Sequence, residues 1–277
     1  MNARDVFETH FHSAEMLLRV YRLLESDEGP LQDHAIMPQL RELIACAPDE
    51  ELILLLNELF VGVVRERAEL KVKFFKRDNL DLLLRQAVVA ACSALDVYMP
   101  QLLREYLPDV IRIRQRNFMP IDGEVKSLMA DFRLKLEDIW PLAEAADEGE
   151  RWDFITRRIL DYMTDKTLSN EAGITATLAL LGVEKPWVKI AARAGETETP
   201  LRDKLRRVVK RRNDIVHRAD RAAADPMGPP QAIDFVWTQN HVGAVQTIAL
   251  ACFDLTTTRV AELKHPIAPR VKPDDEA

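Results

Sequence analysis

The sequence predicts an all-α protein, a multi-helix up-down bundle with additional helices at its N-terminus. Only nine of the 277 residues are glycine while Leu, Ala, Glu and Arg recur throughout, a composition that favours helix. Apolar residues return at three- and four-residue spacing along most of the chain. Turns containing proline or glycine divide this pattern into helix-length blocks. With 47% hydrophobic and 30% charged residues, the chain has the balance of a globular protein with a core to bury, and extended β-structure is not expected.

The first block, Ala3 to Leu24, sets Val6, Phe7, Phe11, Ala14, Leu17, Leu18, Tyr21 and Leu24 at helical spacing before Glu28-Gly29-Pro30 ends it. A second helix is expected after Pro38. A third is expected from Pro48, where Asp49, Glu50 and Glu51 suit a helix N-terminus and LILLLNELFVGVV reads as deeply buried. Asp78 or Asn79 is placed to cap LDLLLRQAVVAACSALDVYM, apolar around most of its circumference, until Pro100 interrupts it. Further helical patterns run from Val125 to Trp140, Trp152 to Met163, Thr175 to Leu181 and around Trp187. GETETP (Gly195 to Pro200) reads as a loop with Thr199 as cap and Pro200 at the first helical position. The helix that follows is expected to stop before ADPMGPP (Ala224 to Pro230). Ile233, Val236, Trp237, Val245, Ile248, Cys252, Leu255 and Leu263 then mark a long final helix, and HPIAPRVKPDDEA reads as a flexible tail.

No run approaches the roughly 18 to 20 apolar residues that span a bilayer, and the first residues lack the zones of a signal peptide. The expected setting is cytoplasmic, with no membrane partner. Cys46, Cys92 and Cys252 are odd in number and far apart, without a close pair of zinc or redox type, and read as small buried hydrophobes. The formal net charge of −7 argues against nucleic-acid binding by the whole surface, so an RNA contact needs a local basic patch.

That patch is the helix after Pro200. From Arg202 to Arg221 nine Arg or Lys stand against three Asp, a local charge of +6 in a chain of net −7. Leu201, Leu205, Val208, Val209, Ile215, Val216 and Ala219 define its inward stripe. Arg212 falls on that stripe, four residues after Val208 and four before Val216, where the pattern asks for an apolar residue. A buried unpaired cation costs several kcal/mol, so an anion or an open cleft should meet it. His217 lies five positions on, about 140° around the helix from Arg212, while Asn213 and His217 share a face at four-residue spacing. The three line one arc beside the apolar stripe. Basic amphipathic helices are commonly no more than solvated faces; here an Arg on the apolar face, an adjacent Asn, a His, a basic flank and a proline-rich turn occur together.

The segment VVKRRNDIVHRAD resembles the motif of the HEPN superfamily, in particular its RiboL-PSP-HEPN branch. The family pattern, an Arg, a polar residue, three others and a His, is matched by Arg212, Asn213 and His217. The helix order is also similar, with a central apolar helix (VVAACSALDVYM) and a long last helix after the motif. The resemblance covers about Leu80 to Leu263. It implies a HEPN-like bundle over 79–264, an N-terminal helical segment over 1–78 packed on it, and a tail over 265–277.

The resemblance further implies a homodimer in which two motif helices face each other across one cleft, and metal-independent cleavage of RNA without a cofactor. Such cleavage requires deprotonating a 2′-hydroxyl, stabilising a pentavalent phosphorane and protonating the leaving 5′-oxygen. One His217 would serve as base and its second copy as acid, since an imidazole populates both protonation states near neutrality. Arg212 would hold the phosphate through paired N–H donors, and Asn213 would orient either His217 or the ribose. Arg206, Lys210, Arg211, Arg218 and Arg221 are the candidate RNA contacts. By analogy with polar residues on the corresponding family helix, Asp96 would support the site by pairing with Arg212; its plainer reading is a buried Asp bonded to another helix. The expected role is a toxin or antiphage effector under an antitoxin or other regulatory protein. Where some family members carry a modifiable Tyr two residues after the motif His, this chain has Ala219, which argues against control by tyrosine modification. The alternative is a noncatalytic dimer of the same type that binds RNA or a nucleotide as scaffold or sensor.

Other motifs are weaker. His10 and His12 would point about 200° apart on a helix and could not chelate one metal, so no metal site is expected. Arg112, Arg114 and Arg116 read as a solvated connector ahead of an extension of an RNA-binding surface. Glycine-rich phosphate loops, a Gly-x-Ser-x-Gly elbow and HExxH are absent from the sequence.

Overall fold

The computed structural model describes residues 2–25, 31, 34–47, 50–57, 60–65, 77–114 and 129–265. Its elements in chain order are α1 (Ala3–Leu24), α2 (Met37–Leu43), β1 (Leu52–Asn57), β2 (Phe60–Arg65), α3 (Arg77–Arg114), a 3₁₀ turn (Leu136–Asp138), α4 (Ile139–Glu144), α5 (Glu148–Thr164), α6 (Glu171–Leu180), α7 (Pro186–Ala194), α8 (Glu198–Arg218) and α9 (Phe235–Lys264). The protein is predominantly helical, as its composition requires. It divides into two compact units: Met1–Glu8 with Ala94–Arg206 and Ala244–Ala277, and Thr9–Ser93 with Arg207–Gly243.

The second of these units holds the motif and the principal departure from the sequence reading. In the run LILLLNELFVGVV, expected to be a helix, the described residues form two antiparallel strands in which Leu52 pairs with Arg65 and Asn57 with Phe60. A short continuous apolar run is ambiguous between a buried helix and a strand buried on both faces, and packing decides here. Leu52 and Leu54 face one cluster with Met37 of α2, joined by Leu31, Leu40 and Ile44. Ile53 and Leu55 point the other way, against Leu24 of α1. Only a period of two can divide these residues between the two clusters. Leu31 extends the sheet by exchanging backbone hydrogen bonds with Leu54 at 2.9 and 3.1 Å. In the rest of this unit Phe11, Ala14, Leu84, Ala87, Val88 and Ala91 are buried, and Tyr21 stacks on Phe235 with ring centroids 5.7 Å apart.

In the other unit, Phe7 meets Tyr98 edge-on at 5.3 Å and the Tyr98 hydroxyl donates to the Ala249 carbonyl at 2.9 Å. Burial pushes the Tyr98 phenol well above its ordinary range, so it stays a neutral donor. Asn170 caps α6 by accepting from the Gly173 amide at 2.7 Å. A Cβ at Gly173 would lie 2.5 Å from the Leu168 backbone, so this position requires glycine. α7 ends at Gly195 in the left-handed conformation, φ 66°, the usual glycine terminus.

Four smaller expectations are corrected. Pro100 does not end the central helix: α3 continues through Pro100 and Pro108 to Arg114. An interior proline costs about 3 kcal/mol, but burial of Met99, Leu102, Leu103, Leu107, Val110 and Ile111, at roughly 1.5–3 kcal/mol for each large side chain, exceeds that cost. α3 is also long and apolar enough by length and composition to cross a membrane, where the sequence reading found no such run; much of its apolar surface is enclosed by protein. Of the pattern from Val125 to Trp140, the described part is turn and extended chain up to Lys135, and helix forms only over Leu136–Glu144. Finally, α8 begins at Glu198, so Thr199 and Pro200 lie inside its first turn and Thr199 is not the cap. The tail beyond 265 lies outside the described residues.

Candidate functional site on helix α8

The first half of α8 follows the predicted stripe: Leu201, Leu205 and Val208 are fully buried. Beyond Val208 the buried face turns away from the line through Arg212 and Val216. Val216 is 52% exposed, whereas Asp214 is buried. Two carboxylates and a cation take over the inward face, and ion pairing allows it.

The anchor is Asp220. α8 ends with two consecutive left-handed residues, Ala219 (φ 48°) and Asp220 (φ 64°), and the Asp220 amide closes back on the Asp214 carbonyl at 2.9 Å. This turn directs the Asp220 side chain inward, where it is 0% exposed and pairs with Arg85 of α3 at 2.7 Å and with Arg211 at 2.7 Å. Arg85 and Arg211 also donate to the Gln231 carbonyl, at 2.9 and 3.0 Å. Arg211 further lies over the Trp237 ring, 5.8 Å from its centroid. The network joins α3, α8, the proline-rich loop and the start of α9 within one unit. Arg221 donates to the Gly228 carbonyl at 2.9 Å and so closes that loop.

With the helix end fixed, the motif residues differ in exposure. Asn213 and His217 are exposed and Arg212 is half-buried. Arg212 Nη1 donates to Asn213 Oδ1 at 3.1 Å, which links the guanidinium to the neighbouring amide. The exposed His217 imidazole, one turn on from Asn213, can accept or donate a proton to a docked ligand.

The basic patch is weaker than its sequence charge. Arg218 pairs with Asp214, Lys204 with Glu196 at 2.8 Å, and Arg206 with Glu171 and Asp203 at 2.6 Å each. Arg202 pairs with Glu171 and Glu198. Glu171, Glu196 and Glu198 add three carboxylates to a local charge of +6, reducing it to +3. Burial alone would raise the Glu171 carboxyl, but hydrogen bonds and charge from Arg206 and Arg202 outweigh it and hold that carboxyl below its ordinary range. Among the described residues no ion pair engages Arg207 or Lys210, both exposed. Lys210 shares the outward face of Asn213 and His217, at three- and seven-residue spacing.

Asp96, in the unit that does not hold the motif, accepts a hydrogen bond from the Ser169 hydroxyl. Arg112 pairs with Asp153 at 3.0 Å on the surface, and Arg116 lies outside the described residues. His12 approaches Glu15 at 3.9 Å. Among the described residues no three His, Cys, Asp or Glu side chains gather as metal ligands.

Sequence reasoning missed Arg85, Asp214 and Asp220. Arg85 sits in an otherwise apolar helix and carried a signal of the same kind as Arg212. Asp220 gave none, because an Asp after a helix ordinarily faces water.

The RiboL-PSP-HEPN family model matches residues 64–236, more than half of the chain, and the protein belongs to that family. The matched stretch includes α3, α8 and the loop that closes on Asp220. HEPN domains are commonly ribonucleases or otherwise serve RNA-related functions. No curated protein and no solved structure matched the chain.

Proposed function

We propose that the protein is a metal-independent endoribonuclease, acting as a toxin or antiphage effector, whose site forms where two copies of α8 meet. The observation that carries this reading is the presentation of Arg212, Asn213 and His217 together on the outer part of a helix whose end is fixed by a buried ionic network. Family membership supports the RNA-related part of it.

In the proposed reaction, one His217 takes the proton of the ribose 2′-hydroxyl as that oxygen attacks the adjacent phosphorus. The P–O5′ bond breaks, and His217 of a second copy gives its proton to the departing 5′-oxygen. The products are a 2′,3′-cyclic phosphate and a 5′-hydroxyl. Arg212 donates to the non-bridging oxygens, where negative charge builds in the phosphorane. Exposed Val216, between the motif positions, supplies apolar surface for the helix-to-helix contact.

The test is cleavage of cellular RNA by the purified protein in EDTA. His217→Ala and Arg212→Ala are each expected to lower the rate by about 10² to 10⁴, and His217→Ala to do so with helicity and melting unchanged, because His217 is exposed. Full activity in both variants overturns the reading. RNA binding without cleavage, weakened in the same variants, assigns the noncatalytic dimer instead.

A further inference from the structure

In the unit that does not hold Arg212 and His217, the chain from Leu134 to Trp140 exposes four large apolar side chains: Leu134 is 43% exposed, Leu136 82%, Ile139 53% and Trp140 71%. Solvation of so many large apolar groups within seven residues is costly, and a contiguous exposed patch marks an interaction surface more often than chance exposure does. The backbone beneath it is well tied. Asp138 is buried and pairs with Arg158 of α5 at 3.2 Å, its carboxylate accepts from the Lys135 amide at 2.7 Å, and Asp147 caps α5 by accepting from the Glu150 amide at 2.9 Å. The apolar side chains therefore face outward from an anchored turn.

Its surroundings are acidic. Between Leu134 and Glu150 six carboxylates (Glu137, Asp138, Glu144, Asp147, Glu148 and Glu150) stand against Lys135, which pairs with Glu137 at 3.4 Å; with Arg158 on Asp138 counted as well, 6 − 2 leaves a local charge of −4, and all the carboxylates but Asp138 are exposed. Negative charge of this density repels RNA and anionic lipid headgroups. It favours a ligand that combines apolar anchors with Lys or Arg, as an amphipathic basic helix does. Trp140, large and open to solvent, has the character of an interface hot spot.

We propose that the Leu134–Trp140 surface, with its acidic rim at Glu137, Glu144 and Glu148, docks a basic amphipathic helix of a partner protein. Leu136, Ile139 and Trp140 take the apolar face of that helix, and the rim pairs with its cations. The inference does not depend on the ribonuclease reading.

The test uses the full-length protein and a fluorescently labelled 18-residue Leu/Lys peptide of helical period, with a Leu/Glu peptide of the same period as control. Saturable binding of the Leu/Lys peptide is expected, weakening with salt, and absent for the control. Because the whole chain is acidic, the decisive variant is Leu136→Ser/Trp140→Ser, which leaves the charge unchanged. It should weaken binding at least tenfold while melting as the wild type does, its substituted side chains being largely exposed. Glu144→Gln/Glu148→Gln should weaken binding and flatten the salt dependence. Equal binding by wild type and the serine variant overturns the proposal as nonspecific charge attraction. Binding to phosphatidylcholine/phosphatidylglycerol vesicles that is lost in the serine variant overturns it in favour of a membrane. Self-association in sedimentation that the serine variant abolishes overturns it in favour of a second copy of this chain.

Discussion

Asp220 lies two residues beyond the end of α8, yet its fully buried carboxylate returns to Arg211 at 2.7 Å. Two left-handed residues make this reversal possible, and Arg85 completes the pairing from α3. The end of α8 that carries Arg212, Asn213 and His217 is thus held by charges that cannot be left unpaired.

Removing the carboxylate strands two largely buried guanidinium groups. Asp220→Ala should cost about 3–5 kcal/mol, read as a lowered urea midpoint. Asp220→Asn should retain part of that stability while lowering cleavage more through kcat than through KM. An unchanged midpoint for Asp220→Ala would show that the pair contributes nothing.

On the proposed RNA-binding reading, the ion pairing sorts the basic side chains by their availability to phosphate. Lys210→Ala should weaken RNA binding across sequences and reduce the slope of log affinity against log salt by about 0.7, the value for one phosphate on a single strand. Arg211→Ala should instead act on stability, because that guanidinium is committed to Asp220 and two carbonyls. Salt titrations of both variants, beside their melting curves, check the division.

Glu171 gives the protein an acid-sensitive contribution. Its folded-state pKa is depressed by Arg206 and Arg202 against the opposing effect of burial. The stability it contributes is therefore fully present above the ordinary carboxylate range and is lost as pH falls through the lower folded value. Wild type should melt above Glu171→Gln at pH 7, and the gap should close in the acid range below about pH 4. A gap that persists unchanged at pH 3 would contradict the assignment.

The three thiols should differ in reactivity. Burial pushes the Cys252 thiol far above its ordinary range, and Cys92 is also buried while Cys46 is partly open. A disulfide-exchange reagent at pH 8 should titrate Cys46 in the native protein and reach the others only in denaturant.

The strand pair can be probed through its buried face. Leu55→Ala should cost about 2–5 kcal/mol, because Leu55 is fully buried beside Ile53 and Leu24. A surface-like loss below about 0.5 kcal/mol would mean that the cluster is not part of the core.

Helical periodicity by itself determined α1, the central apolar helix, α5, the motif helix and α9, because each has an amphipathic or wholly apolar pattern long enough to admit only one period. It also singled out Arg212 by placing it on an apolar stripe, although in the fold the buried face turns away from that line beyond Val208. Tertiary structure alone decided the cases where local pattern is degenerate. Leu52 to Leu55 became a strand because α1 and α2 supply separate clusters for alternate residues. α3 passed through Pro100 because burial of the residues beyond it outweighs one lost hydrogen bond. Val216 turned outward and Asp214 inward because Asp220, joined to Arg85 across 135 residues of chain, rotates the buried face at the helix end. Partners that distant in sequence leave no mark on local periodicity, so the charges that hold the motif helix become visible only once the chain is folded.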